Sequence, residues 1–487
     1  MQLISPGRNA LEGAAAALCA VAAMAVVSAL ALALLGAGSV GSAWSLTMAV
    51  TAMAVGGSVS AGSEASAGSG AGGLASLFGG GSGMGPSISG AADVAPLSVT
   101  LIGAVVLWVA FSWRLRQENK RRFTAGELVV RAAGAGTAAW IALMVVGALG
   151  QGSAALPEGA MGAMGGPGGG LDAGGPFGGQ DAGGPFGDLA GGGGLGDLVG
   201  GMMAPSAVTY QVNAVSAGLG AVVWAAVVLG IGCLISRRVR LPLGGALDRL
   251  RATWAPSLSA VVRTMLVLAA VVLVPLVLVG AAVGDRAGTL AGGALLLAPN
   301  ALAVFLSLGA GSSWTLGMHP VQSSGSNPLA GLMGQMGGSG GMPGLGGGQQ
   351  TDRTEHLRSL AAGGWPLWLV ALAVTGAILL GCAYRASRTT HPAYMRPLHP
   401  YSGPLARHLG MAERFSVVTA VVLGGVAWLA GASGNFGISM FGSQMGGMQA
   451  ELAGSVLQTA AFGLLVGGLA GFAGSLLHTA RGARASR

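Results

Sequence analysis

The sequence predicts an all-α integral membrane bundle of two similar halves, with about eight transmembrane helices, two short re-entrant or interfacial helices, and disordered glycine-rich external loops. Three observations predict it. The chain is 52% hydrophobic and only 8% charged, where a soluble domain carries about 25% charged residues. Its apolar runs reach roughly 20 residues, the length that spans the hydrocarbon core of a bilayer at about 1.5 Å per residue. Its arginines gather at the ends of those runs, the pattern that fixes orientation in a membrane.

The stretch Asn213–Arg240 shows the pattern best: an uncharged run closed by Arg237, Arg238 and Arg240. Other runs of this kind are Gly13–Gly36, Leu97–Trp113, Leu128–Gly150, Val261–Val283, Pro366–Tyr384, Ser416–Ala432 and Val456–Leu477. Gly13–Gly36 is too long for a signal-peptide core and reads as a retained first span. Two further apolar pieces are short, Val40–Ser58 and Leu290–Leu308, and the second carries Pro299-Asn300 at its middle. Tracts rich in glycine cover about 62–90, 151–204 and 309–350. They lack the apolar mass to fold alone and are expected to be disordered. The division is 1–240 for the first membrane repeat and 241–487 for the second.

Charge decides which segments cross. The loops Arg237–Arg251 and Arg385–Arg414 hold five arginines each, and three apolar segments lie between them. If both loops are cytoplasmic, one of those segments does not cross. Leu290–Leu308 is short, and Pro299 removes a helix hydrogen bond there. Val40–Ser58 is its counterpart. On this layout 21 of the 24 basic residues are cytoplasmic, as are both termini, and the protein belongs in the plasma membrane. Aligning the short pieces at an offset of 249 (295 − 46) matches Leu46, Ala49, Ala52 and Ser58 with Leu295, Ala298, Ala301 and Ser307, and sets Thr51 beside Asn300.

The whole-chain layout, the stretch LLLAPNALAVFLSLGAGSSW at Leu295–Trp314 and the glycine-rich insertions resemble the streptophobe family, very hydrophobic actinobacterial membrane proteins of similar length. The resemblance implies a membrane location and carries no established activity.

Few residues offer chemistry. Pro299-Asn300 reads as a broken helix whose free backbone groups face a ligand, or as a kink satisfied by neighbouring helices. Glu127 and Arg131 are spaced for a local ion pair, and Arg263 and Arg414 sit where side chains reach the interface. The span cores carry no charge, which argues against a proton-coupled pump and against an intramembrane enzyme. Cys19, Cys233 and Cys382 read as buried free thiols, and His391, His399 and His408 as solvated loop residues. Pairs spaced Met-x-x-Met, such as Met161/Met164, Met333/Met336 and Met445/Met448, could hold Cu(I). Gly463, Gly467 and Gly471 form a small-residue stripe for helix packing. The pI near 10.4 does not indicate nucleic acid, because no basic patch interleaves with aromatics.

The sequence therefore predicts a non-enzymatic structural or scaffolding membrane protein, with no cofactor and the lipid bilayer as its partner. The rival is a transporter of a small uncharged or lipid-like substrate, sited where Pro299 and Asn300 meet the segment around Thr51. A polar cavity at mid-membrane favours the rival; a dry, packed centre favours the scaffold.

Overall fold

The computed structural model describes residues 6–39, 41–64, 87–117, 124–154, 208–236, 245–283, 285–320, 353–357, 361–362, 365–389, 405–440 and 443–485. The helices are α1 (Pro6–Leu34), α2 (Ala43–Met53), α3 (Leu97–Gln117), α4 (Ala125–Leu149) and α5 (Ala214–Ile235), then α6 (Gly245–Val283), α7 (Asp285–Gly309), α8 (Leu367–Thr389), α9 (Ala406–Ala430) and α10 (Val456–Ala485). Eight of them, α1 and α4 to α10, are long and apolar enough to cross a membrane. The apolar part of α3, Leu97–Trp113, is shorter.

The bundle carries a small sheet that the sequence reading lacked. Strands β1 (Val59–Glu64), β2 (Ser87–Val94), β3 (Gly152–Ala154), β4 (Val208–Val212), β5 (Trp314–Pro320), β6 (Arg353–His356), β9 (Ala432–Met440) and β10 (Ser443–Gly454) form one antiparallel sheet in the order β3-β4-β1-β2-β9-β10-β5-β6. A separate hairpin pairs β7 (Ala361–Ala362) with β8 (Trp365–Pro366). The edges of the glycine-rich tracts are thus strands: residues 62–64, 87–90, 152–154 and 314–320 hydrogen-bond in ladders. The middles of the tracts lie outside the described residues. Strands β1, β2 and β3 are mostly Gly, Ser and Ala, residues with little intrinsic strand preference.

The sheet defines one end of the bundle. β2 leads into α3, β3 follows α4, β4 leads into α5, β9 follows α9 and β10 leads into α10. The other end is where arginines cluster, and there Arg251 of α6 donates to the Ser236 carbonyl just past α5 (3.1 Å).

Helix α7 stays at the sheet end. Its first turns touch the end of α1, where a Cβ on Gly292 would sit 2.6 Å from the Ala31 carbonyl. Its middle meets the start of α3, with Ser98 Oγ donating to the Leu296 carbonyl (3.1 Å). Its last residue lies against Ala371 and Thr375, roughly two turns into α8. Both ends of α7 therefore contact neighbours at the same end of the bundle. The shorter α2 lies likewise: Thr100 of α3 donates to the Ala54 carbonyl just beyond it (2.6 Å), and Ser45 bonds Tyr210 of β4 (2.7 Å).

The core is built from small side chains. Ala17, Ala20, Ala135, Ala139, Ala217 and Ala221 are fully buried where α1, α4 and α5 meet. A Cβ on Gly13 would fall 2.0 Å from the Arg131 carbonyl, so α1 and α4 touch backbone to backbone. Such contacts gain dispersion energy without needing water to drive them. A few large side chains, among them Phe111, Phe415 and Trp314, are buried as well, while many others, such as Val26, Val223, Val271, Val421 and Leu469, are exposed on the outside.

Candidate functional site

Two places gather the residues that the sequence singled out. The first is the seam between residues 1–240 and 241–487. Asn300 is buried there, on α7. Its Oδ1 accepts from the Leu97 N–H (3.0 Å), and its Nδ2 donates to the Ala95 carbonyl (2.8 Å). The first turn of α3 has backbone donors with no partner inside its own helix. Asn300 supplies one from the other half of the chain. α7 runs through Pro299 without a break, which corrects the broken-helix expectation. The seam continues into the sheet, where β2 pairs with β9 from Ser87↔Ser439 to Val94↔Ala432.

Thr51 is fully buried on α2, but its hydroxyl serves the Thr47 carbonyl (2.7 Å) and Ser28 of α1 (3.2 Å). The structure does not make it the partner of Asn300. The two helix ends align differently from the sequence match. After α2, Gly57 N–H reaches the Ala52 carbonyl and Gly56 has φ +98°; after α7, Ser312 N–H reaches the Ser307 carbonyl and Gly311 has φ +106°. Both are the same left-handed glycine cap. The two caps lie 255 residues apart (311 − 56), six more than the offset of 249 in the sequence match.

The second place is a groove of about 550 Å³ on the flank of the first half, between α1 and α3. Apolar walls come from Ala15, Ala16, Val105 and Val109, and Cys19 and Trp113 also line it. Its charged end holds Glu12 and Arg131. Arg131 lies on α4, whose start is fixed by a capping box: Thr124 N–H donates to Glu127 Oε2 (3.0 Å), and Glu127 N–H returns to Thr124 Oγ1 (3.4 Å). Glu127 is thereby turned back on the cap. Arg131 reaches Glu12 of α1 instead, with Nη1 3.5 Å from Oε2, and lies 5.0 Å from the centre of the Phe111 ring. Arg8 completes the set, its Nε 3.5 Å from Glu12 Oε1. The expected Glu127–Arg131 pair is therefore replaced by a buried Glu12–Arg131 pair across helices. Glu12 stands one residue before the apolar run Gly13–Gly36, which hides it from a reading by span, although it lies four residues after Arg8.

Other sequence candidates fall elsewhere. Cys19 is exposed in the groove, which corrects its reading as a buried thiol, while Cys233 and Cys382 are buried. His408 is buried, not solvated: its Nδ1 is 2.7 Å from Ser475 Oγ, and its ring meets Phe472 edge-on. His391 and His399 lie outside the described residues. Of the methionine pairs, Met445/Met448 lies on β10, with Met448 exposed; Met161, Met164, Met333 and Met336 lie outside the described residues. Arg414 is buried in α9.

Gly463, Gly467 and Gly471 all face α9. A Cβ on Gly467 would meet Thr419 Cβ at 2.7 Å, and one on Gly471 would meet Ala412 Cα at 3.0 Å. Gly467→Val is expected to lower stability by about 2–3 kcal/mol, the cost of forcing a tight helix pair apart. The unfolding midpoint in detergent measures this; a midpoint equal to wild type would show that α9 and α10 are not packed this closely.

Apolar residues turned outward over small residues packed inward, on helices long enough to cross a bilayer, define a multi-pass membrane protein. No protein-family model, no characterised protein and no solved structure matches the chain.

Proposed function

We propose that the protein is a non-enzymatic structural or scaffolding protein of the cytoplasmic membrane, with the arginine-rich end and both termini in the cytoplasm and the sheet on the outer face. The continuity of the sheet across the seam carries this reading. Alternating access rocks one half against the other about a central site. Here such rocking would break the β2–β9 ladder and the Asn300 contacts together. Clustered arginines resist translocation, which supports the orientation.

The reading includes two tandem repeats in the same orientation. The order helix, helix, strand, strand, helix, helix, strand, strand, helix describes α1 to α5 and, with the β7–β8 hairpin inserted, α6 to α10. The sheet repeats as well, β3-β4-β1-β2 followed by β9-β10-β5-β6, and α4 and α9 each bury an arginine near the same end. Membership of the streptophobe proteins belongs to the same proposal and rests on Leu295–Trp314 and the layout.

Electron–electron distance measurement separates scaffold from transporter. Spin labels at Ser153→Cys on β3 and Thr354→Cys on β6, in a chain lacking its three native cysteines, report across the whole sheet. Seven strand spacings of about 4.8 Å place the backbones roughly 30–35 Å apart. One narrow distribution in bilayers supports the scaffold. Two distributions exchanging with conditions would favour the transporter.

A further inference from the structure

We propose that the groove between α1 and α3 is a binding site for an anionic phospholipid, taking an acyl chain along its wall and the phosphate at its charged end. The wall fits a chain: from Glu12 to Cys19 on α1 and from Trp113 to Val105 on α3 the groove runs ~10–12 Å along the helices. Its surroundings are lipid-facing, with Leu11, Leu18 and Val109 exposed beside it. Small residues on α1 opposite valines on α3 leave a channel that no side chain of the bundle fills.

The charged end selects the headgroup. Among the described residues, Arg8 and Arg131 bring two guanidinium groups to the carboxylate of Glu12, a balance of one positive charge (2 − 1) at the mouth. Arg8 is the accessible donor, its side chain 63% exposed, whereas Arg131 sets the field from the floor. Guanidinium pairs well with phosphate oxygens, and Trp113, 60% exposed, stands at the depth where an indole bridges chain and headgroup. Glu12 would repel an anion placed directly on it, so the phosphate lies on the Arg8 side.

Phospholipids bearing a photoreactive diazirine in the acyl chain test the site in vesicles holding the full-length protein. A phosphatidylglycerol probe and a phosphatidylcholine probe are compared, and labelled peptides are mapped. The glycerol probe is expected to label residues 15–19 and 105–113 about fivefold more than the choline probe, the factor a single interfacial arginine supplies. Arg8→Gln, at an exposed position, should bring the two probes level. Ala15→Phe, which fills the groove from its open side, should remove labelling by both. Equal labelling by the two probes in the wild type, or labelling unchanged by Ala15→Phe, would overturn the proposal. So would cross-links from these residues to a second copy of the chain in place of lipid.

Discussion

Asn300→Leu is expected to destabilise the protein by about 2–4 kcal/mol, because one side chain satisfies two buried backbone groups of the other half. Leucine fills similar volume but leaves the Leu97 N–H and the Ala95 carbonyl without this partner. Asn300→Asp keeps the acceptor for Leu97 and loses the donor to Ala95, so it should fall between the two. Unfolding midpoints in detergent rank the three proteins. Limited proteolysis adds a sharper readout: the chain should be cut more readily between α6 and α7 when the seam loosens. A leucine variant as stable as wild type would mean that water replaces Asn300 at this cap and that the seam is wet.

Glu12→Gln should cost on the order of 3 kcal/mol, the lower end of the range for breaking a buried ion pair. Arg131 is almost fully buried, while the carboxylate side is 19% exposed and partly relieved by water. The double variant Glu12→Gln with Arg131→Met removes both charges and should recover most of that loss, since apolar replacements of buried pairs are often neutral. Equal destabilisation by the single and the double variant would show that the pair does not couple α1 to α4. Gly13 and Gly134 make this pair possible by letting the two backbones touch, so the helix contact and the ion pair stand or fall together.

Much of the helical part of the fold was legible because twenty apolar residues in a row have one low-energy state in lipid. Arginine placement predicts that the segment around Pro299 does not cross; in the structure α7 is long and apolar enough to cross, and both its ends contact neighbours at the sheet end. The sheet was not legible. Val59–Glu64 reads VSAGSE and Ala432–Met440 reads ASGNFGISM, with few branched or aromatic residues to announce a strand. One strand did carry a signal: Val208–Val212 alternates, with Tyr210 and Val212 buried and Thr209 and Gln211 exposed. The role of Asn300 could not be read locally, since its partners lie about 200 residues away in the chain and meet it only after α3 and α7 pack. The match of Thr51 to Asn300 has a related weakness: alanine-rich sequence aligns at many offsets, and the structure gives the Thr51 hydroxyl other partners, Thr47 and Ser28. Glu12 is hidden because it directly precedes the uncharged run that begins at Gly13.

In the proposed orientation α7 returns to the side it started from. Single cysteines at Thr289 near its start, Thr354 on β6 and Thr389 at the end of α8 test this most directly, in a chain lacking Cys19, Cys233 and Cys382. Each is probed in intact cells with a membrane-impermeant maleimide. The account predicts that Thr289→Cys and Thr354→Cys are labelled together from outside, and Thr389→Cys only after permeabilisation. Labelling of Thr289→Cys with Thr389→Cys, on the opposite side from Thr354→Cys, would contradict it.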